Sequence, residues 1–332
     1  MCKVYKNKPI IIGEIAFNHE GDFNYLRQAV EELAKTNVTH VKFQVLINAD
    51  EFVSEKSASY DTVKNWCFSE KEWNEIFSLS SKLGLRIFGM PLDTKAVEIL
   101  DHDYVDYIEI HSVSFYDYDL ISLVKKIHLD KVVAFGVGGR TLEELVAIND
   151  YFEGRKLLFM VGFQAYPSEL EDIKLTRIKS IKSKFPNHLI GYADHSAPES
   201  PDSIYASHYA CCLGVNIFEK HFSLQQNRTD SDSAFNTEKM INYVESIHRL
   251  MRILEVDFSQ SFIFSSAEVV YRDRQKKAVA IKDINKDEEF DSKNIALKMH
   301  SEKGNHNNLE SLIGKKSPRI FKKGDVICTE KK

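Results

Sequence analysis

Residues 10–44 read IIIGEIAFNHEGDFNYLRQAVEELAKTNVTHVKFQ, and the reading of this stretch decides the fold. Ile10 to Ile15 is a short, β-branched apolar run, the pattern of a strand covered on both faces. Leu26, Ala29, Val30, Leu33 and Ala34 then recur at helical spacing on one face. His40 to Gln44 is a second short run, so the stretch is one βα unit followed by the strand of the next. The alternation continues to about residue 255, with strands expected at Arg86 to Met90, Tyr104 to Ile110, Lys131 to Val137, Leu157 to Phe163, His188 to Tyr192 and Val215 to Glu219. Eight such units are the count of a (β/α)8 TIM barrel, whose chemistry sits where the strands end. A doubly wound open sheet is disfavoured, because no Gly-x-Gly-x-x-Gly follows the first strand.

Helix boundaries are marked locally. Ser69 and Glu72, then Thr141 and Glu144, have capping-box spacing ahead of apolar runs, and Gly84 follows the first of these helices as a stop. The connection from Val45 to Phe68 is long and carries Phe52, Tyr60 and Trp66, which suits either a lid that stacks on a sugar or a loop anchored to the core. From Lys276 the segments become short, turn-rich and lysine-rich, as in Ala278-Val-Ala-Ile281 and Asp325-Val-Ile-Cys328. The expected organisation is a barrel over residues 1–258, a linker over 259–275 and a small, mostly β domain over 276–332. The last holds 14 basic and 9 acidic residues, a balance of +5 beside −10 for the remainder.

A net charge of −5 over 332 residues, without a basic run, argues against a nucleic-acid partner and for a small-molecule substrate. No run of about 18 apolar residues is present to span a membrane, and the apolar core near the N-terminus is too short for a signal peptide. Five scattered cysteines, none in Cys-x-x-Cys, suit reduced thiols in a cytoplasmic protein, with the adjacent Cys211 and Cys212 expected to pack as small apolar residues.

The polar residues at the strand ends carry the chemistry. Glu14 sits among Ile12, Ile15 and Phe17, where a carboxylate needs a partner or the barrel mouth. Lys42 and Gln44 share one strand face, with Lys42 able to pair with Glu14 or with an anionic substrate. His195, in Gly191-Tyr-Ala-Asp-His-Ser196, and His221, in Phe218-Glu-Lys-His-Phe222, stand at consecutive strand tips and could share a divalent metal. Alternation puts Glu219 beside His221 and turns Lys220 away, and Asp194 is expected to orient a metal-bound imidazole. No Ser-His-Asp pattern or Gly-x-Ser-x-Gly points to an activated side-chain nucleophile.

The segments 13–21, 41–44, 141–145, 165–172, 191–196 and 218–222, taken in order, resemble the sialic acid synthase family, which includes pseudaminate and legionaminate synthases. Residues 282–288 and 312–316 are similar to that family's antifreeze-like (SAF) C-terminal domain. The resemblance implies condensation of phosphoenolpyruvate with the open-chain aldehyde of an N-acylated hexosamine, giving a nine-carbon 2-keto acid and phosphate. It implies Mn2+ or Mg2+ on His195 and His221, with Glu14 and Lys42 completing the catalytic set. Gln44, Ser112, Gly138, Arg140, Tyr166 and Asp232 are implied to bind substrate, and the protein to form a homodimer exchanging C-terminal domains.

The chain departs from the family on the enol-phosphate side. Glu109 stands where the family has a lysine, and Gly136-Val-Gly-Gly139 replaces Ser-Thr-Gly-Met but keeps backbone N–H groups able to cradle an anion. Arg140, immediately beyond, could supply the lost charge. Ala193 replaces a serine, Met90-Pro-Leu92 replaces Thr-Pro-Phe, and Met299 aligns with an arginine that reaches a neighbouring subunit. Two alternatives follow: an aldolase or lyase with a different donor, or a catalytically silent sugar-binding homologue.

Overall fold

The computed structural model describes residues 8–162, 165–254 and 263–329. Eight parallel strands form at Ile10–Glu14 (β1), His40–Val45 (β2), Arg86–Pro91 (β3), Val105–Ile110 (β4), Val132–Gly136 (β5), Leu157–Val161 (β6), Leu189–Asp194 (β7) and Ile217–His221 (β8). They pair in chain order, and β8 closes on β1 in a register running from Ile10 against Ile217 to Glu14 against His221. This is a (β/α)8 barrel. Phe163, expected at the end of the sixth strand, lies outside the described residues.

The period-2 alternation sorts side chains between two apolar layers. Ile10, Ile12, Phe88, Tyr107, Ala134, Leu158, Met160 and Ile217 fill the barrel interior, while Ile11, Val41, Phe43, Tyr192 and Phe218 face outward into the larger core beneath the helices. Both expected capping boxes form, at Ser69 with Glu72 and at Thr141 with Glu144. Helix Phe23–Ala34 buries Leu26, Ala29, Val30 and Leu33 as its spacing requires. Cys211 is buried but Cys212 is exposed, because neighbours on a helix point about 100° apart and only one can face the core.

The connection after β2 is structured: short helices Ala49–Phe52 and Tyr60–Asn65 break it up. Phe17, Leu46, Ala49, Val63, Met90 and Leu92 form a small cluster there, with Phe52 and Trp66 packed against it. The aromatic residues therefore anchor the segment while also presenting Phe52 and Trp66 to the cleft described below.

The N-terminal rim holds a polar cluster of structural type. Asp106 Oδ2 accepts from Arg86 Nε at 2.9 Å and contacts His40 Nε2 at 3.2 Å. Burial alone would raise this carboxyl, but the hydrogen bonds from Arg86 and His40 outweigh it and hold it at about 2. A carboxylate depressed on folding adds stability above its unfolded pKa, lost as pH falls through the folded value. Asp106→Asn is therefore expected to lower unfolding free energy by about 2 kcal/mol at pH 6, with the deficit closing between pH 4 and pH 2. Urea unfolding at the two ends of that window checks it; a deficit that does not change with pH would contradict it.

Two compact units divide the chain, residues 1–256 and 257–332. In the second, helix Ser266–Arg272 lies within the segment read as a linker, started by a Ser265 and Glu268 capping box; residues 259–262 are outside the described set. Strands Lys277–Ala280 (β9) and Ile295–Lys298 (β10) pair antiparallel. Single bridges join Val279 to Val326, Ile284 to Phe321 and Glu289 to Lys316. Regular strand is thus scarcer than the expected mostly β character, because turns interrupt nearly every run. Ala278, Ala280, Ile284, Phe290, Ile295, Leu312, Phe321 and Ile327 make its own small core. No helix among the described residues is long and apolar enough to cross a membrane.

Candidate active site

Inward-facing positions at the C-terminal ends of β1, β2, β4 and β8 bring Glu14, Lys42, Glu109 and Glu219 into one buried cluster. Parallel register sets Glu14 beside both Lys42 and His221. Lys42 Nζ lies 2.8 Å from Glu109, 3.0 Å from both oxygens of Glu219 and 3.2 Å from Glu14. Gln44 Nε2 donates to the other oxygen of Glu14 at 2.9 Å. Each member of the ion cluster is at most 4 % exposed.

Three carboxyls on one ammonium cannot all ionise cheaply away from water. Burial pushes each of them up. At Glu14 the pull of Lys42, with hydrogen bonds from Glu219 and Gln44, outweighs burial and holds the carboxylate far below its ordinary range, and His221 adds to that pull only when its imidazole is protonated. Glu109 stays raised, and Glu219 well above the carboxylate range, because burial outweighs Lys42 there. Burial also works against Lys42, yet the surrounding carboxylates keep its ammonium charged. The cluster therefore combines a fixed ammonium, an ionised Glu14 and a retained carboxyl proton.

His195 and His221 meet above this floor with ring centroids 5.0 Å apart. Tyr166 caps them edge-on, 5.0 Å from His195 and 5.4 Å from His221. Burial lowers both histidines, His195 most strongly, so both are neutral near pH 7. His195 Nδ1 donates to the Ala193 carbonyl at 3.1 Å, which leaves Nε2 as the nitrogen with a lone pair. Both nitrogens of His221 are buried without a hydrogen-bond partner, with Glu14 3.5 Å from Nε2. Neutral imidazoles with unsatisfied nitrogens fit a divalent cation. Among the described residues no group of three or more His, Cys, Asp or Glu side chains is arranged to hold one, so substrate or water would have to complete the coordination.

The cluster and His195 line a narrow inner cavity of about 20 Å³ with Gln44, His111, Ser112, Gly136 and Tyr166. It adjoins a wider cleft of about 360 Å³ walled by Phe17, Phe52, Trp66, Tyr166 and Asp230, a size that suits a sugar. Of the residues singled out in the sequence, Glu14, Lys42, Gln44, Ser112, Tyr166, His195 and His221 come together. Gly138, Arg140 and Asp232 line neither space. Arg140 turns to the Ser112 carbonyl at 3.0 Å and to Glu144 at 3.3 Å, its guanidinium over Phe115, so its charge is already engaged. Asp232 is exposed on the turn Ser231–Ser233, and Asp230, left-handed at φ 62°, faces the cleft instead.

Asp194 does not orient His195. Its carboxylate binds Lys220 on the outer face of the barrel, because a strand residue adjacent to an inward-facing one points outward. Asp230, which the sequence pairs with Asp232 as a carboxylate able to grip sugar hydroxyls after the eighth strand, does reach the cleft, whereas Glu219 and His111 were not singled out as site residues from the sequence. Glu219 carried a signal, standing one strand period before His221, and His111 another, standing two residues beyond Glu109.

Gly136 lies against the Glu109 carboxylate. A Cβ at position 136 would sit 3.2 Å from the Glu109 carboxylate and 3.5 Å from the Ser112 amide, so glycine clears the space that the carboxylate occupies.

The model of the NeuB family matches residues 29–257. The chain belongs to that family. It is 27% identical to a pseudaminic acid synthase of Campylobacter jejuni, over 96% of this chain and 95% of that protein. It is also 27% identical to an uncharacterized protein of Methanocaldococcus jannaschii, over 98% and 95% of the two chains. An N,N'-diacetyllegionaminic acid synthase of C. jejuni is 22% identical over 96% and 99%. Among solved structures, an N-acetylneuraminic acid synthetase from Leptospira borgpetersenii, in complex with citrate, superposes with a TM-score of 0.70 at 24% identity over 80% of this chain and 92% of that one. A spore coat polysaccharide biosynthesis protein of Bacillus subtilis gives 0.64 at 19% over 96% and 94%. These structural likenesses speak for the fold.

Proposed function

We propose that this NeuB-family chain joins phosphoenolpyruvate to the open-chain aldehyde of an N-acylated hexosamine, giving a sialic-acid-like nine-carbon 2-keto acid and phosphate. The observation that carries the reading is the pair of neutral imidazoles, 5.0 Å apart, facing an ionised Glu14 and a charged Lys42 at the mouth of the barrel. His195 and His221 would hold Mn2+ or Mg2+, which supplies Lewis acidity toward the aldehyde oxygen. Carbon 3 of the enol phosphate forms the new bond to the aldehyde carbon, whose oxygen takes a proton. Water then adds at carbon 2 and phosphate departs. The cluster around Lys42 retains a carboxyl proton for the first transfer, and Gln44 steadies Glu14. The aromatic wall of Phe52, Trp66 and Tyr166 offers faces to the sugar. By the same family resemblance we include a cytoplasmic homodimer that exchanges C-terminal antifreeze-like units.

Incubating the protein with Mn2+, phosphoenolpyruvate and a panel of N-acylated hexosamines is expected to release inorganic phosphate together with a new 2-keto acid. Folded, metal-loaded protein that releases no phosphate across the panel would overturn the reading.

One observation favours a second reading, in which an aldolase or lyase uses a donor without phosphate. Lys42, the cation lining the inner cavity, is already met by three carboxyls, Glu109 among them. With its ammonium engaged by these carboxyls and Glu14 ionised beside it, Lys42 has little charge left to offer a phosphate dianion. Calorimetric titration with phosphoenolpyruvate separates the two, since absence of binding selects the second. A silent sugar-binding homologue is disfavoured by the assembled Glu14, Lys42, His195 and His221.

A further inference from the structure

Immediately behind the two histidines lies a second buried ion pair with no route to the cavity. Asp194 precedes His195 at the end of β7, Lys220 precedes His221 in β8, and the two stand opposite each other in the parallel register. Both side chains are fully buried on the outer face of the barrel. Lys220 Nζ donates to Asp194 Oδ1 at 2.5 Å and to the Ser196 carbonyl at 2.7 Å, and lies 4.7 Å from the centre of the Phe235 ring. Asp194 also accepts from the Tyr192 hydroxyl at 2.9 Å, from Ser196 Oγ at 3.0 Å and from the Ser196 amide at 3.1 Å.

The same layer pins the histidine backbones from outside. The Ser168 amide donates to the His195 carbonyl, and the Phe235 amide to the His221 carbonyl, each at 2.8 Å. An apolar pair of equal volume would commonly fold at least as stably as a buried salt bridge, so stability alone does not account for this one. What an ion pair adds over apolar packing is direction. Here the direction runs from one strand tip to the next, one residue before each imidazole.

We propose that Asp194 and Lys220 are positioning residues, a cross-strand clasp that sets the separation of His195 and His221. The inference rests on the assignment of those histidines to a metal, but the clasp itself touches neither ligand nor cavity. It explains why two consecutive strand tips each carry a charged residue just before the histidine: the inward member of each pair binds, and the outward member locates it.

The test is the double variant Asp194→Asn with Lys220→Met, which removes both charges and strands neither. It is expected to fold, yet to bind Mn2+ in calorimetry about tenfold or more weakly than wild type. Its metal-free crystal structure is expected to show the imidazoles moved from their 5.0 Å separation. Wild-type Mn2+ affinity together with an unchanged separation would overturn the clasp. If the double variant does not fold, Asp194→Glu keeps the charge but displaces the carboxylate by one methylene, and the same two measurements decide in the same way. Should wild-type protein bind no Mn2+, the metal reading fails on its own, and the crystallographic separation in the variants still judges the clasp.

Discussion

Lys42→Met is expected to cost more stability than any other single change at the site, and to abolish turnover with it. Lys42 is 2 % exposed, and its ammonium holds three carboxyls within 3.2 Å. Removing one partner of a buried ion cluster leaves the others uncompensated, at about 3–5 kcal/mol. In a unit of this size that corresponds to a melting temperature lower by roughly 10 °C. The deficit carries a sign in pH. Without the lysine, Glu14, Glu109 and Glu219 all have folded-state pKa values above their unfolded ones, so the variant loses stability as pH rises and regains it as the carboxyls protonate. Thermal melts at pH 8 and pH 5 are expected to show a larger gap from wild type at pH 8. A gap that is equal at both, or smaller at pH 8, would mean that the carboxyls do not depend on Lys42 for their charge.

His221→Ala is expected to have the opposite profile, with a large effect on metal and a small one on the fold. The imidazole makes no hydrogen bond through either nitrogen, so its removal strands no partner and relieves two unsatisfied polar atoms. The cavity left behind outweighs that gain, for a net loss of about 1–2 kcal/mol. Loss of a direct ligand should weaken Mn2+ binding by more than the roughly 10–100-fold that follows loss of an outer partner. Calorimetry with Mn2+ and circular dichroism on the same sample provide the check. Stoichiometric metal retained by the folded variant would remove His221 from the ligand set.

Much of the fold was legible because its signals are local. Ile10 to Ile15, followed by the Leu26 to Ala34 stripe, specifies a strand and a helix by period alone, and Ser69 with Glu72 or Thr141 with Glu144 specifies where helices begin. The same period placed Lys42 and Gln44 on one face and turned Lys220 away from His221. Asp194 shows where such reading stops. Adjacency to a histidine suggested a polar partner for the imidazole, whereas the alternation that turns Lys220 outward also turns Asp194 outward, and the two find each other.

Arg140 and Asp232 were beyond sequence reading for a different reason, since each lies on a turn whose path no period describes. The connection from Val45 to Phe68 likewise gave no signal of which aromatic rings would pack and which would face the cleft.

The sequence by itself determined a (β/α)8 barrel, the strand tips on which its chemistry would stand, and the two histidines at consecutive tips, because hydrophobic period and side-chain alternation are properties of neighbouring residues. Only the tertiary structure decided that Glu14, Glu109 and Glu219, drawn from three strands far apart in the chain, would converge on one lysine. Their ionisation follows from that convergence and from burial. No single segment contains either, because distance and desolvation come into being only when the barrel closes.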